Sequence, residues 1–373
     1  MVLKSKLLIN SFLTSVLLLG AQATYAEVIF KENFDEQPDW TSTMHSVSQS
    51  QKISWGDILP DNWHEIYQGT QWSPETGYPN KNASIEILAS NADKARGRTG
   101  KSMVNWRESY SDTKWNSDSQ MIHLLAKQHD ELYVEFWISF SPNWAARTVE
   151  QGGISKIVRI GSYNGTGDPF NGAAGALGPV LFWDYSQNSY GMRNTHAFRG
   201  GPWGENYHFN FSKVGVELES NFGSQTSGMA LGGGNPQVVN QVNGGYLVDI
   251  DRYSWITHDQ LFGPAGHWTK IAFYVKLNSA PGVPDGVMMQ WINNQRVKVE
   301  NAVPWIGTNE KNRMVGWNFI SLGGNDFFRP YPNEDRFEDW YAIDDVVVRT
   351  SIPKDLMSER PAVPNPPVDI GIQ

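Results

Sequence analysis

Side chains that can transfer protons or bind a carboxylate are concentrated between positions 156 and 208. This stretch includes Lys156, Arg159, Tyr185, Tyr190, Arg193, His196, Arg199, Tyr207 and His208. Lysine, tyrosine and histidine act as general bases or acids when their neighbours shift their pKa. The guanidinium fork of Arg159 or Arg193 matches the geometry of a carboxylate. Each residue alone is most simply a polar surface residue, but together they predict one wall of a cleft.

Two residues outside this stretch are further candidates for substrate binding. Arg107 could also bind a carboxylate, although its neighbour Glu108 allows an internal ion pair instead. Trp137 lies in the clearest predicted strand, Tyr133–Phe140, in which apolar residues alternate with Trp137 and other side chains of mixed polarity. One face of such a strand packs on the core and the other is partly solvated, so we predict that Trp137 contacts substrate.

The elements that must position these residues are β-strands, because alternation with a period of two recurs along the chain. No stretch sustains a helical period with caps at both ends. The other predicted strands are Lys101–Tyr110, Gln120–Leu125, Ser155–Gly161, Pro179–Tyr185, Tyr207–Phe211, Trp268–Leu277, Val287–Asn293, Trp317–Leu322 and Trp340–Thr350. This number of strands predicts a two-sheet sandwich. Two glycine-rich segments, 161–178 and 221–245, are predicted to be long loops.

The first 26 residues have the pattern of a signal peptide: two lysines, an interrupted apolar run and small residues up to Ala26. The run is too short and too interrupted for a stable membrane anchor. We therefore expect a secreted or periplasmic protein without an anchor. A single domain is predicted over residues 27–351, followed by a proline-rich tail over 352–373.

The composition excludes several classes of function. The formal net charge of -9 argues against nucleic acid as a partner, and it disfavours a polyanion unless cations gather locally. The absence of cysteine excludes disulfides, thiolate metal sites and a cysteine nucleophile. Because no phosphate-binding glycine motif is present, we expect no organic cofactor. The 16 tryptophans and 14 tyrosines suit either a sugar-binding cleft or a large aromatic core.

Three segments resemble the concanavalin A-like lectin and glucanase superfamily: Trp-Thr-Lys-Ile-Ala-Phe-Tyr-Val-Lys-Leu-Asn at 268–278, Asp-Gly-Val-Met-Met-Gln-Trp-Ile-Asn at 285–293 and Trp-Tyr-Ala-Ile-Asp-Asp-Val-Val-Val at 340–348. Their order after Gly-Gly-Ile-Ser-Lys-Ile-Val-Arg-Ile-Gly at 152–161 is similar to polysaccharide lyase family 14. The resemblance covers most of residues 28–351. It implies an all-β, concanavalin A-like jelly-roll β-sandwich with long loops along the cleft rim. The implied activity is β-elimination in an acidic polysaccharide such as alginate.

The resemblance also implies roles for individual residues. Family 14 enzymes use a lysine after paired glycines, and Lys156 occupies the similar place here. Their Tyr-x-Tyr motif is similar to the segment at 207–209, where phenylalanine replaces the second tyrosine. Lys156 and either Tyr207 or His208 would share the proton transfers. Arg159 or Arg193 would bind the substrate carboxylate.

Tyr185, Tyr190 and His196 are predicted to line the cleft beside these catalytic candidates. One geometric condition applies to the catalytic group itself. Lys156 and Arg159 fall on opposite faces of a regular strand, so they can act together only if a bulge or the start of the strand changes the alternation.

A structural calcium site is a further implication of the resemblance, because terminal strands of such sandwiches often lie side by side and share an ion. Glu32 near the N-terminus and Asp345 near the C-terminus are the predicted ligands, since calcium prefers carboxylate and carbonyl oxygens. Alternation separates Asp344 from Asp345, so only one aspartate of that pair is expected to bind. The alternative is that these acids cap turns or face solvent.

The leading functional hypothesis is a polysaccharide lyase that acts as a monomer on an acidic glycan. The second is a non-catalytic, lectin-like glycan-binding protein, which needs only aromatic and polar contacts. Glycoside hydrolysis ranks third, because the Glu-x-Asp-x-x-Glu pattern of retaining enzymes on this fold does not occur. The run from Glu334 to Glu338 has a different spacing.

Overall fold

The computed structural model describes residues 26–44, 58–68, 82–107, 116–142, 144, 154–165, 177–188, 191–199, 224–227, 239–242, 245–248, 257–306, 315–327 and 339–357. Residues 1–25 of the predicted signal peptide, the strand predicted at Tyr207–Phe211 and the tail beyond residue 357 lie outside these ranges. None of the helices within the ranges is both long enough and apolar enough to span a bilayer.

The first of two large sheets is antiparallel and has nine strands in the described part of the chain. Numbered in chain order over the whole molecule, they are β1 (Val28–Glu32), β2 (Trp40–Thr41), β4 (Ile85–Ile87), β5 (Met103–Arg107), β7 (Glu131–Phe140), β14 (Thr269–Lys276), β15 (Gly286–Ile292), β16 (Gln295–Val303) and β18 (Asp339–Arg349). Their spatial order is β16-β15-β14-β7-β18-β5-β4-β2, and β1 also pairs with β18. The strands at the two ends of the chain are therefore neighbours.

The second sheet is also antiparallel and has seven described strands. They are β3 (Glu65–Gln68), β6 (Asn116–His129), β8 (Ile154–Tyr163), β9 (Leu177–Asn188), β10 (Gly191–Arg199), β11 (Ser224–Ser227) and β17 (Trp317–Phe327). Their order is β11-β10-β9-β8-β17-β6-β3, while β12 (Val239–Val242) and β13 (Gly245–Val248) form a separate hairpin.

The inner faces of the two sheets share one apolar core. Trp183 of the second sheet packs against Phe136 and Phe273 of the first, with ring centroids 6.1 and 5.8 Å apart. Strands that are distant in sequence pair within each sheet, as β8 does with β17 and β7 with β18. The two-sheet sandwich predicted from the alternation and the all-β jelly-roll architecture implied by the resemblance are both confirmed.

Of the described strands that were not predicted from the sequence, β10 and β16 are the longest. Polar residues occupy inner positions on β10, where Asn194 and His196 are fully buried, and this hides the apolar alternation. β16 follows β15 through Asn293 and Asn294, whose φ angles of 50° and 64° suit a two-residue hairpin turn. The glycine-rich segment 221–245 is not one loop, because it contains β11 and β12.

The described chain also contains the 3₁₀ helices Ser42–Met44, Ala89–Lys94 and Arg96–Arg98 and two short α-helices. Helix α1 (His258–Phe262) begins with a capping box, in which the Thr257 hydroxyl accepts from the Gln260 amide and the Gln260 side chain accepts from the Thr257 amide. Helix α2 (Lys354–Met357) lies at the start of the predicted tail. Leu356 packs with Ile352 on a small aromatic cluster outside the first sheet. The beginning of the tail is thus attached to the domain.

A buried polar network connects the two sheets beside the apolar core. The Gln290 side-chain oxygen on β15 accepts from the Asn194 amide at 2.5 Å and lies 2.9 Å from His196 Nε2. The Gln290 amide donates in turn to the Asn194 oxygen, which also accepts from the Trp183 indole at 2.7 Å. His196 therefore donates from Nε2, and its neutral form fits the network.

The burial of His196 predicts acid-induced loss of stability. Desolvation, followed by the nearby Lys298 charge, lowers the His196 pKa from 6.5 to about 3. An unfolded chain binds this proton below pH 6.5 and the folded chain does not, so the stabilising contribution is complete above that pH and is lost as pH falls towards 3. Burial also lowers the pKa of His123 and of His258 to about 4, with the same sign.

We expect His196→Gln, which keeps a donor but cannot titrate, to reduce the stability lost between pH 7.5 and 4.5 by about 2 kcal/mol. Urea unfolding of both proteins at the two pH values measures this difference. Equal losses of stability in wild type and variant would contradict a lowered pKa of His196 in the folded protein.

Candidate active site

The candidate site lies on the outer face of the second sheet, around β8 and β9. On β9, Leu181 and Trp183 point into the core, and Phe182 and Asp184 lie between and beyond them on the other face. On β17, Ser321 lies between the core residues Ile320 and Leu322 and shares this outer face.

A β-bulge in β8 decides which side chains reach the outer face. Lys156 pairs with Asp184 and Val158 pairs with Trp183, so Ile157 is an extra residue without a partner on β9. Ile157 and Val158 both belong to the core. Lys156 on one side of the bulge and Arg159 on the other therefore emerge on the same outer face. The condition set by the sequence analysis for these two residues to act together is met.

Asp184 and Phe182 on β9 lie opposite these two cations. Asp184, only 7% exposed, lies directly across the ladder from the half-buried Lys156. Directly opposed side chains have Cβ atoms about 5 Å apart, within reach of a lysine–carboxylate interaction. The guanidinium carbon of Arg159 lies 5.0 Å from the Phe182 ring centroid, and Arg159 is 8% exposed. The site thus combines a lysine, a stacked arginine and a carboxylate.

No role was predicted for Asp184 from the sequence, although a signal was present. Aspartate is uncommon inside strands, and Asp184 interrupts an apolar and aromatic run within the predicted strand Pro179–Tyr185. An acid held there needs a polar or charged neighbour, which the register with Lys156 provides.

Polar side chains continue from the two cations across the sheet. Ser321 on β17 lies opposite Arg159, and its hydroxyl donates to the Gln120 side-chain oxygen at 3.1 Å. Tyr67 on β3 lies opposite Gln120 in turn. Ser321 and Gln120 are buried, and only Tyr67 at the end of the row is partly exposed. Gln120 fell within a predicted strand, but alternation alone did not indicate its neighbours.

Arg107 is not at this surface, which corrects its assignment as a substrate contact. Its side chain is fully buried between the sheets. The guanidinium donates at 2.9 Å to the Ser119 hydroxyl on β6 and to the Tyr341 hydroxyl on β18, and it also reaches the Gly324 carbonyl. The neighbouring Glu108 lies outside the described residues. Arg107 is a cross-sheet structural residue, because parity on β5 points it inward.

Tyr185 and His196 are also corrected, since both point into the sandwich. The Tyr185 hydroxyl lies 2.9 Å from His258 Nδ1, and the Tyr185 side chain is fully buried. His196 pairs across the ladder with the core residue Trp183 and so shares its inner face. Strand pairing, and not the local residue type, determines whether each of these side chains points inward or outward.

Trp137 lies on the other side of the molecule. It is on the outer face of the first sheet, where the Arg96 guanidinium carbon is 4.7 Å from its ring centroid. Its predicted contact with substrate therefore has no support at the face that carries Lys156. Tyr190, Tyr207, His208 and the side chain of Arg193 lie outside the described part of the chain, so their assignments stay predictions.

The two predicted calcium ligands belong to separate hydrogen-bonded groups. The buried Glu32 carboxylate accepts from the Phe34 amide and the Gln37 side chain. Asp345 is bound by Arg96, whose Nε donates to it at 2.7 Å. Among the described residues, no group of three or more histidine or acidic side chains could hold a metal ion. Calcium binding therefore stays a sequence prediction without a ligand set in these ranges.

No family model and no curated protein matches the sequence. Solved structures similar to the chain include a mutant alginate lyase in complex with an alginate trisaccharide, with a TM-score of 0.44, 11% identity and coverage of 86% of this chain and 98% of that one. An endo-β-1,4-glucuronan lyase from Trichoderma reesei has a TM-score of 0.38 and 12% identity, with coverage of 68% and 82%. The laminarinase catalytic domain of Thermotoga maritima has a TM-score of 0.40 and 10% identity, with coverage of 88% and 100%.

These similarities concern the fold alone, because the identities are only 10 to 12%. The three proteins are also named as different enzymes. The described part of the chain therefore defines a class of architecture and not of activity. It is a two-sheet jelly-roll sandwich with a lysine and an arginine brought together on the outer face of its second sheet.

Proposed function

We propose that this protein cleaves a uronic-acid-containing polysaccharide by β-elimination on the outer face of the second sheet. The observation that carries the proposal is the bulge at Ile157, which brings Lys156 and Arg159 to one face. The location predicted from the N-terminal segment, secreted or periplasmic, belongs to the same proposal and suits an extracellular glycan. Alginate is the first substrate to test.

The chemistry requires a base next to a group that neutralises a carboxylate. In β-elimination the base takes the proton from C5, and the electron pair of that bond forms the double bond between C4 and C5. The C4–O bond then breaks and the departing oxygen takes up a proton. Lys156 would act as the base, and Arg159 or Arg193 would bind the carboxylate that makes the C5 proton acidic. The proton donor would be Tyr207 or His208.

The charge distribution also supports an acidic substrate. The chain as a whole carries a formal charge of -9, which repels polyanions in general. Lys156 and Arg159 nevertheless gather two positive charges on one face, against the single described carboxylate of Asp184 beside them. The local potential at this position would therefore favour an anionic sugar.

Hydrolysis is less well supported by the described side chains of this face. A retaining glycosidase needs two carboxyl groups about 5 Å apart, and an inverting one about 6.5–9.5 Å. The carboxylates described on the outer face are Asp184 on β9 and Glu65 on β3, and three strands lie between them. At about 4.8 Å per strand, the two backbones are about 19 Å apart.

The experiment that tests the proposal follows the ultraviolet absorbance of the unsaturated uronate product. Purified protein is incubated with alginate, glucuronan, ulvan and pectin, with and without calcium. A rise with one of these substrates is expected, together with new reducing ends and product masses without added water. No rise with any of them, combined with retardation of the protein in gels containing the same glycan, would replace the lyase by the glycan-binding alternative.

A further inference from the structure

Gly324 in β17 lies against the backbone of Lys156, and its neighbour Gly323 lies against Ser119 of β6. Leu322 pairs with Val158 and Asp326 pairs with Ser155, so residues 323–325 of β17 face only residues 156–157 of β8. The pairing of β8 with β17 is therefore irregular at the same residues as the pairing of β8 with β9, where Ile157 forms a bulge. Irregularities of this kind commonly re-aim a side chain next to a functional site.

Gly324 has no room for a side chain because Lys156 occupies that space. A Cβ atom at position 324 would lie 2.6 Å from the Lys156 Cβ and far inside van der Waals contact of the Lys156 carbonyl oxygen. Its neighbour Gly323 has φ of +96°, a left-handed conformation that favours glycine. Gly323 approaches Ser119 on the neighbouring strand β6, whereas Gly324 approaches Lys156 on the neighbouring strand β8.

We propose that Gly324 is a positioning residue that sets the direction of the Lys156 side chain on the outer face. The inference rests on the proposed function for its catalytic meaning, whereas its geometric part depends only on the strand register and on the close approach of Gly324 to Lys156. A side chain at 324 would push the Lys156 backbone away, and the direction of its Cα–Cβ bond would change with it. Displacements of about 1 Å in a catalytic group can reduce the rate about 100-fold.

Gly324→Ala tests this inference, with Gly286→Ala as the matched control. A Cβ at Gly286, in the first sheet, would lie 2.7 Å from Trp305 Cδ1 and would clash with the Val303 carbonyl oxygen, so the steric insult is similar. Both variants should lose melting temperature. Gly324→Ala should lower kcat about 100-fold with KM nearly unchanged, whereas the folded fraction of Gly286→Ala should keep the wild-type kcat.

A second readout does not need activity. The ¹³C signals of dimethylated lysines report local environment, and the Lys156 signal is identified by its loss in Lys156→Arg. Gly324→Ala should shift the Lys156 signal, and Gly286→Ala should not. If wild type proves inactive but this shift occurs, the proposed function fails while the positioning role stands. An unshifted signal together with wild-type kcat would overturn the inference.

A third comparison covers the case in which Gly324→Ala folds poorly. Lys156→Gly removes the Cβ that the new methyl group meets and allows the local backbone to move. The melting-temperature loss caused by Gly324→Ala should therefore be smaller in the Lys156→Gly background, although the contact with the carbonyl oxygen of residue 156 remains. An equal loss in both backgrounds would show that the Lys156 Cβ adds nothing to the clash, which contradicts the proposal that Gly324 sets the direction of that side chain.

Discussion

Lys156→Ala is expected to lower the rate of unsaturated uronate formation about 1,000-fold, because removal of a general base typically costs 10²–10⁴-fold. The effect should lie in kcat, since the carboxylate binding proposed for Arg159 or Arg193 is left intact in this variant. Initial rates on the substrate that gives the largest signal, measured over a range of concentrations, separate kcat from KM.

A second lysine provides the matched control for this loss. Lys270 lies on the outer face of the first sheet and forms an ion pair with Glu135 at 2.7 Å, so it is a partly buried lysine far from β8. Lys270→Ala should retain wild-type kcat. If Lys156→Ala also keeps its rate within a few-fold of wild type, Lys156 is not the base and the proposed mechanism is wrong.

Arg107→Met is expected to cost about 3–5 kcal/mol of unfolding free energy, the range found when one partner of a buried charged network is removed. Methionine approximates the length of the arginine stem but donates no hydrogen bond. The hydroxyls of Ser119 and Tyr341 would lose a donor across the sheets. Asp339, fully buried and directly opposite Arg107 on β18, would lose a neighbouring positive charge.

The urea midpoint of unfolding measures this loss, and Arg96→Met is its control. The Arg96 side chain is 42% exposed and pairs with Asp345 above the Trp137 ring, so its removal should cost less than about 1 kcal/mol. If Arg107→Met is too unstable to purify, Arg107→Lys keeps the charge and should give an intermediate midpoint. Equal losses for Arg96→Met and Arg107→Met would contradict the structural role assigned to Arg107.

Alternation along the sequence predicts a strand correctly where the inward-facing residues are apolar. Alternation located β7, β14 and β18 within a few residues of their observed bounds, because their apolar residues recur at a period of two. β10 was missed for the opposite reason. Its inner positions carry Asn194 and His196, whose buried network with Gln290 replaces the apolar signal.

The face on which each candidate site residue lies could not be predicted from residue type. Residue types alone singled out Lys156 and Arg159, but they also singled out Tyr185 and His196, which point inward. Parity distinguishes the two groups, and parity depends on the partner strands. The bulge at Ile157 exists only relative to β9, and a shift of one residue moves every following side chain to the other face.

The sequence by itself determined an all-β sandwich and located the stretch that supplies the candidate cations, because both follow from residue type and spacing along one chain. Only the tertiary structure decided that Arg107 ties the sheets together, that Trp137 lies on the opposite side from Lys156, and that Asp184 faces that lysine. The physical reason is that strand register and sheet membership are set by pairing between distant segments, which the alternation within each strand does not encode.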